Sequence, residues 1–66
     1  MIAQVNGERK DVTDGTTLGE LLRALAIGSA GIAVAVNGRV VPRAGLEHYR
    51  LQDGDAVEVV RAVAGG

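Results

Sequence analysis

Residues 17–25, TLGELLRAL, contain the clearest structural pattern in this 66-residue chain. Thr17 and Glu20 have the spacing of a capping box, in which each side chain satisfies an unpaired backbone amide at a helix N-terminus. Leucines recur at positions 18, 21, 22 and 25, which is the spacing of one apolar helix face. Gly28 follows where a left-handed residue would end the helix. We therefore predict one amphipathic helix, whose leucine face must pack against another element.

Two Asn-Gly dipeptides, at positions 6–7 and 37–38, divide much of the remaining chain into short strands. This pair readily takes the positive φ angles of a tight hairpin turn, so each dipeptide predicts a hairpin. Pro42 ends the strand after the second hairpin because it has no amide hydrogen to donate. We read residues 43–51 as a loop with one helical turn. The predicted strands cover residues 1–6, 8–13, 32–36, 39–41 and 56–63.

The resulting element order is β-β-α-β-β-β, with a single helix. A ferredoxin-like sandwich would need two helices, and only one long periodic segment is present. One helix laid across a mixed sheet buries both the leucine face and one face of the strands. We therefore predict an α+β fold of β-grasp (ubiquitin-like) architecture, with four to five strands and one main helix. Residues 1–66 would form one domain that ends in a flexible Gly-Gly tail.

Composition excludes several classes of function. The formal charge is −1, and seven scattered cations make a poor surface for nucleic acid. No apolar run is long enough to span a bilayer and no signal segment opens the chain, so we expect a cytoplasmic protein without a membrane partner. There is no cysteine and one histidine, which leaves neither a thiolate nucleophile nor an ordinary zinc site. We expect no catalytic residue, no metal and no bound cofactor.

The C-terminal residues Val63, Ala64, Gly65 and Gly66 carry the chemistry that the rest of the chain lacks. Residues without a Cβ atom let a backbone thread a narrow channel in a partner enzyme and reach bound ATP. The Gly66 carboxylate could then form an acyl adenylate, and a sulfur nucleophile would convert that adenylate to a thiocarboxylate. Since the chain has no thiol to hold a persulfide, its terminal carbonyl carbon is the one position that could carry sulfur. The plain alternative is a frayed end without a function.

Three segments together resemble the ThiS family of sulfur carriers. Similarity extends over nearly the whole chain, including the first strand and the helix. The segments that carry it are residues 36–43 (VNGRVVPR), 51–57 (LQDGDAV) and 63–66 (VAGG).

The resemblance implies a β-grasp fold and a protein cosubstrate rather than an enzyme. A ThiF-like adenylyltransferase would adenylate Gly66 with its own ATP, a system with a cysteine desulfurase would supply sulfur, and a ThiG-like thiazole synthase would be the acceptor in thiamine biosynthesis. The free carrier is expected to be a monomer. The closest alternative is the MoaD branch, the small subunit of molybdopterin synthase, or another thiocarboxylate carrier.

Two further alternatives and one structural question stay open at this point. The chain would be a ubiquitin-like modifier if Gly66 formed an amide with a lysine, or an interaction domain if the tail had no role. Partner binding favours the exposed face of the sheet near the last strand, where an apolar patch would mark a docking surface. The alternation along that strand separates residues 57, 59 and 61 from residues 56, 58 and 60, and both sets contain valine. The sequence does not tell which set is exposed.

Overall fold

The computed structural model describes residues 1–28 and 30–61. Within these ranges there are five strands, one α-helix and one short 3-10 helix. In chain order they are β1 (Ile2–Val5), β2 (Glu8–Asp11), α1 (Leu18–Ala24), β3 (Ile32–Val36), β4 (Arg39–Val41), the 3-10 helix (Arg43–Gly45) and β5 (Ala56–Arg61). All five predicted strands and the helical turn after Pro42 are present, but the first strand is one residue shorter at each end than predicted and the second ends at Asp11 instead of residue 13. Residues 62–63 of the last predicted strand lie outside the described residues.

The strands form one mixed sheet with β5 in its centre. Their order is β2-β1-β5-β3-β4, with β1 parallel to β5 and the other three pairings antiparallel. The two hairpins that the Asn-Gly dipeptides predicted are the outer pairs of this sheet. One helix and five strands in this order confirm the predicted α+β β-grasp fold.

The core lies between the sheet and α1. Leu18 is fully buried, Leu21 and Leu22 are nearly so, and Leu25 at the end of the stripe is half-buried. The other aliphatic side chains of the core come from β1, β3 and β5 and from the segments that connect the elements. They are Ala3, Val5, Val12, Val34, Val36, Leu46, Leu51 and Val57. A core without aromatic rings is therefore filled by closely packed small and branched side chains.

The capping box at the start of α1 is formed as the sequence predicted. The Glu20 amide donates to Thr17 Oγ1 at 3.2 Å, and the Thr17 amide donates to Glu20 Oε1 at 2.9 Å. The hydrogen bond from the Thr17 amide, followed by one from the Thr17 hydroxyl to Glu20 Oε1 at 3.2 Å, lowers the pKa of the Glu20 carboxyl. A lowered pKa in the folded state adds stability above the ordinary value near 4.5, and this contribution is lost as the pH falls through the lowered pKa.

The C-terminus of α1 differs from the prediction, because the helix ends before Gly28. The left-handed position is taken by Ala26, with φ of 58°. The Ala26 amide donates to the Arg23 carbonyl at 3.0 Å, and the Ile27 amide donates to the Leu22 carbonyl at 2.8 Å. This is the hydrogen-bond pattern of a Schellman motif, which turns the chain so that Ile27 packs against the core. Tertiary packing of Ile27 thus overrides the local preference for glycine.

Replacing Ala26 with glycine is expected to stabilise the fold. A left-handed alanine costs about 1–2 kcal/mol, whereas glycine loses roughly 0.5–1 kcal/mol more backbone entropy on folding. We expect Ala26→Gly to raise the free energy of unfolding by about 0.5–1 kcal/mol and the melting temperature by about 4 °C. Thermal and urea unfolding measure the change, and Gly28→Ala, at a glycine whose φ is not positive, is the matched control. A lower melting temperature for Ala26→Gly would contradict the assigned helix end.

Candidate functional site

The predicted site residues Val63, Ala64, Gly65 and Gly66 lie outside the described residues. The described chain ends at Arg61, the last residue of β5. β5 is the central strand: its first residues pair with β1 on one side, and its pairing with β3 on the other side continues to Arg61. The geometry that bears on the tail is therefore that of β5 and its neighbours.

The structure answers which side of β5 is exposed. Val57 is 1% exposed and Val59 is half-buried, so both belong to the face that packs under α1. Val60 is 60% exposed and lies on the opposite face with the exposed Glu58. The sequence alone could not tell that Val60, near the end of β5, is an exposed valine.

A second exposed valine lies on the same outer face. Val40 of β4 is 72% exposed and stands opposite Ala35, while Val60 stands opposite Ala33. These four residues, Ala33, Ala35, Val40 and Val60, form what we call the outer patch. Glu58, also opposite Ala35, lies beside it. Exposed apolar side chains gathered on neighbouring strands are typical of a surface that a partner covers.

The two Asn-Gly turns hold β5 from opposite sides. Asn6 and Asn37 both have left-handed φ angles, near 51° and 52°, so their backbone carbonyls leave the sheet. Their side-chain carbonyls replace these backbone carbonyls as acceptors for the amides of β5. Asn6 Oδ1 accepts from the Val59 amide at 2.8 Å, and Asn37 Oδ1 accepts from the Ala56 amide at 3.0 Å. Each asparagine is thus both a turn residue and a backbone substitute in the sheet, which the turn signal alone did not reveal.

Asp55 is a buried polar residue immediately before β5. Its Oδ1 accepts from Asn37 Nδ2 at 3.0 Å, and its Oδ2 accepts from the Gln52 amide at 2.8 Å. It is 7% exposed, so both hydrogen bonds are shielded from water. Because the carboxylate can only accept here and the Ala56 amide can only donate, the orientation of the Asn37 amide group is determined by its two partners. Asp55 and Asn37 together locate the start of β5.

The remaining polar residues form no catalytic arrangement in the part of the chain that the structure describes. His48 lies with Arg39 and Tyr49 in an open groove of about 510 Å³ beside β4, whose lining contains no carboxylate. Lys10, the only lysine, is half-buried on β2. Across residues 1–28 and 30–61, no three His, Cys, Asp or Glu side chains are grouped to hold a metal ion. None of the helices in these ranges is long and apolar enough to cross a membrane.

Comparisons with known proteins agree on one family. The family model that matches is described as the ThiS family, and it covers residues 3–66. The sulfur carrier protein ThiS of Escherichia coli (strain K12) is 36% identical over 61 residues, which span 92% of each chain. A thiazole synthase of Paramagnetospirillum magneticum is 32% identical over 62 residues, which are 94% of this chain but 19% of that protein.

Solved structures agree with the sequence comparisons. The crystal structure of the thiamine biosynthesis protein ThiS from Geobacter metallireducens superposes with a TM-score of 0.86, at 35% identity and with complete coverage of both chains. A solution structure of a thiamine biosynthesis protein from the same organism gives a TM-score of 0.77 and covers 88% of that chain. The similarity therefore concerns the whole domain and not an isolated motif.

Proposed function

This chain belongs to the ThiS family, and we propose that it is the sulfur carrier of thiazole formation in thiamine biosynthesis, acting through the carboxylate of Gly66. The observation that carries the proposal is a match over almost the whole length to a curated sulfur carrier, in a chain that contains no thiol. The chain is a protein cosubstrate, and its partners supply the catalytic groups.

The proposed chemistry has two steps at the carboxyl carbon of Gly66. A carboxylate oxygen first attacks the α-phosphorus of ATP held by the partner enzyme, and pyrophosphate leaves. Hydrosulfide from the sulfur donor then attacks the carbonyl carbon of the acyl adenylate, AMP leaves with the bond electrons, and the proton of the hydrosulfide is released to solvent. The product is a thiocarboxylate, which donates sulfur to the thiazole precursor. This reaction needs no cofactor on the carrier itself.

The described structure supports this role through β5. The start of β5 is paired with β1 and β3 and is held by Asp55 and the two asparagines, and pairing with β3 continues to Arg61, so the strand that precedes the predicted tail is well anchored. The outer patch provides an apolar docking surface beside that exit. A carrier of this design would bind its partner through the patch and place Val63, Ala64 and Gly65 in a channel that leads Gly66 to ATP.

Three partners follow from the proposal. A thiazole synthase of the ThiG type is the sulfur acceptor, a role consistent with the similarity to a segment of a thiazole synthase. We further propose a ThiF-like adenylyltransferase and a sulfur donor system with a cysteine desulfurase. The family match and the name of the curated relative favour this branch over the MoaD branch.

The test is to incubate the purified chain with a ThiF-like enzyme, ATP and a sulfide source, and to measure its intact mass. We expect the mass to rise by the difference between sulfur and oxygen, with the change assigned to Gly66 by fragmentation and absent without ATP. Alkylation of the new thioacid separates it from oxidation of Met1, which adds nearly the same mass. A folded chain that gains no sulfur with several such enzymes would overturn the proposal.

A charge in the outer patch is expected to impair adenylation without unfolding the chain. Val60→Asp places a carboxylate on an exposed position, so the fold is little affected, but partner docking would have to desolvate that charge. We expect the KM of the adenylating enzyme for the carrier to rise at least about tenfold, or roughly 1.4 kcal/mol. Pyrophosphate exchange measures this. Ala24→Asp, an exposed residue on α1, is the matched control and should behave like the unaltered chain.

A further inference from the structure

One edge of β5 is left without a strand neighbour just before the tail. β1 ends at Val5, where it is paired with Val57, while β5 continues to Arg61. On its other side, β5 stays paired with β3 as far as Arg61, which stands opposite Ile32. Within residues 1–28 and 30–61, residues 58–61 of β5 therefore have a strand on one side only, and the two residues beyond the Asn6 side-chain contact at Val59 leave the other side open.

The backbone groups that face this open edge follow from the alternation of the strand. The Val57 carbonyl accepts from the Asn6 amide, and the Val59 amide donates to the Asn6 side chain, so residues 57 and 59 point toward β1. Ala56 points toward β3, where its carbonyl accepts from the Asn37 amide. Because successive residues alternate, the amide and carbonyl of Arg61 point toward the open edge, next to the carbonyl of Val59.

Asn6 ends the pairing of β1 with β5. Its left-handed backbone turns the chain away, and its side chain satisfies the last amide that β1 would otherwise have bonded. The open segment is short and ends in a charged residue, and such edges resist unspecific pairing with other chains. The edge is thus kept available beside the exit of the tail without being a general site of aggregation.

We propose that an extended segment of the adenylating partner adds to the sheet along this edge, and that its backbone bonds to Val59 and Arg61. The proposal rests on the proposed function and names how the partner holds the carrier. An extended segment fits because the edge offers a carbonyl and an amide in strand spacing, and strand addition uses those groups for affinity. Val60 projects onto the outer face between them, so an apolar side chain of the added strand can pack against it. Pairing here would set the direction in which the tail leaves the sheet.

Two variants of one residue test the proposal. Arg61→Pro removes the amide hydrogen that faces the edge, at a position where the sheet does not use it. Arg61→Ala removes the guanidinium and keeps that hydrogen. We expect Arg61→Pro to raise the Kd for the ThiF-like enzyme at least about tenfold, with Arg61→Ala within about threefold of the unaltered chain. The melting temperature of each variant serves as the control for folding.

Amide hydrogen exchange of the unaltered chain provides a second measurement that does not depend on a variant. We expect the Arg61 amide to exchange slowly when the partner is bound and quickly when it is absent. The Arg9 amide is the matched control, because it points to the outer edge of β2 and should exchange at the same rate in both states. If the chain is adenylated while the Arg61 amide gains no protection, strand addition is wrong and the proposed function stands. If the chain is neither bound nor adenylated, the proposed function fails and this proposal fails with it.

Discussion

Deletion of Gly66 is expected to abolish conversion of the chain to a thiocarboxylate while the fold is unaffected. The shortened chain still ends in a carboxylate, on Gly65, but this group would stop about 3.5 Å short of the position where the α-phosphorus of ATP is held. Misplacement of a reacting atom by even 1 Å can cost about 100-fold in rate. We therefore expect the rate of ATP–pyrophosphate exchange to fall at least about 100-fold. The assay is run with the ThiF-like enzyme at a fixed carrier concentration.

Two further variants distinguish the effect of moving the terminal carboxylate from the effects of blocking it or crowding it. One extra residue after Gly66 turns its carboxylate into an amide and should give the same loss as the deletion. Gly66→Ala keeps the carboxylate in place and adds only a Cβ atom, so its defect should reflect crowding in the channel of the partner. All three variants should melt at the temperature of the unaltered chain. Full activity of the deleted chain would contradict the requirement for Gly66, because the Gly65 carboxylate would then react equally well from a position one residue shorter.

Asp55→Ala is expected to cause the largest loss of stability among the polar substitutions considered. The change removes the acceptor for the Asn37 amide group and for the Gln52 backbone amide, and it leaves both donors in a site that water barely reaches. Hydrogen bonds to a carboxylate contribute about 1.5–3 kcal/mol each, so we expect a loss of about 3 kcal/mol. A domain of this size has roughly 3–10 kcal/mol in total. The melting temperature should fall by about 12 °C or more.

Asp53 provides a control within the same turn. Its Oδ1 accepts from the Ile2 amide at 2.7 Å, but the contact is exposed, so water can replace it. We expect Asp53→Ala to cost less than about 1 kcal/mol. Urea unfolding of the two variants gives the comparison. Equal losses for the two positions would contradict the role of burial and the assignment of Asp55 as the residue that locates β5.

The Asp55→Ala variant also tests whether the start of β5 matters for adenylation. The start of β5 would lose one of its hydrogen bonds to the second Asn-Gly turn, while the two hydrogen bonds between Ala56 and Asn37 and the pairing with β1 and β3 would persist. At a temperature where Asp55→Ala is fully folded, adenylation should therefore be affected much less than stability. This separates residues that maintain the sheet from residues, such as Val60 and Gly66, that are proposed to meet the partner.

The predictions from sequence succeeded where short-range chemistry decides the structure. The capping box of Thr17 and Glu20 involves residues three apart, and each Asn-Gly turn involves two neighbours. Such features depend on local backbone preferences and are readable without knowing the fold. The predicted helix end was wrong because a tertiary contact overrides the local preference. Glycine at position 28 suits a left-handed residue, but Ile27 must reach the core two positions after Leu25, so the chain turns at Ala26.

The sequence was sufficient to identify the helix, the two hairpins and the β-grasp fold, and it predicts the tail as the place for sulfur chemistry. The three-dimensional structure was needed to show which valines of β5 are exposed, that Asn6, Asn37 and Asp55 hold that strand, and that one of its edges is open. Because both faces of β5 contain valine, alternation cannot tell the core from solvent. Burial of one face depends on α1, and the asparagine side-chain hydrogen bonds to β5 join residues 19 and 53 positions apart. Contacts of that range exist only once the sheet has formed.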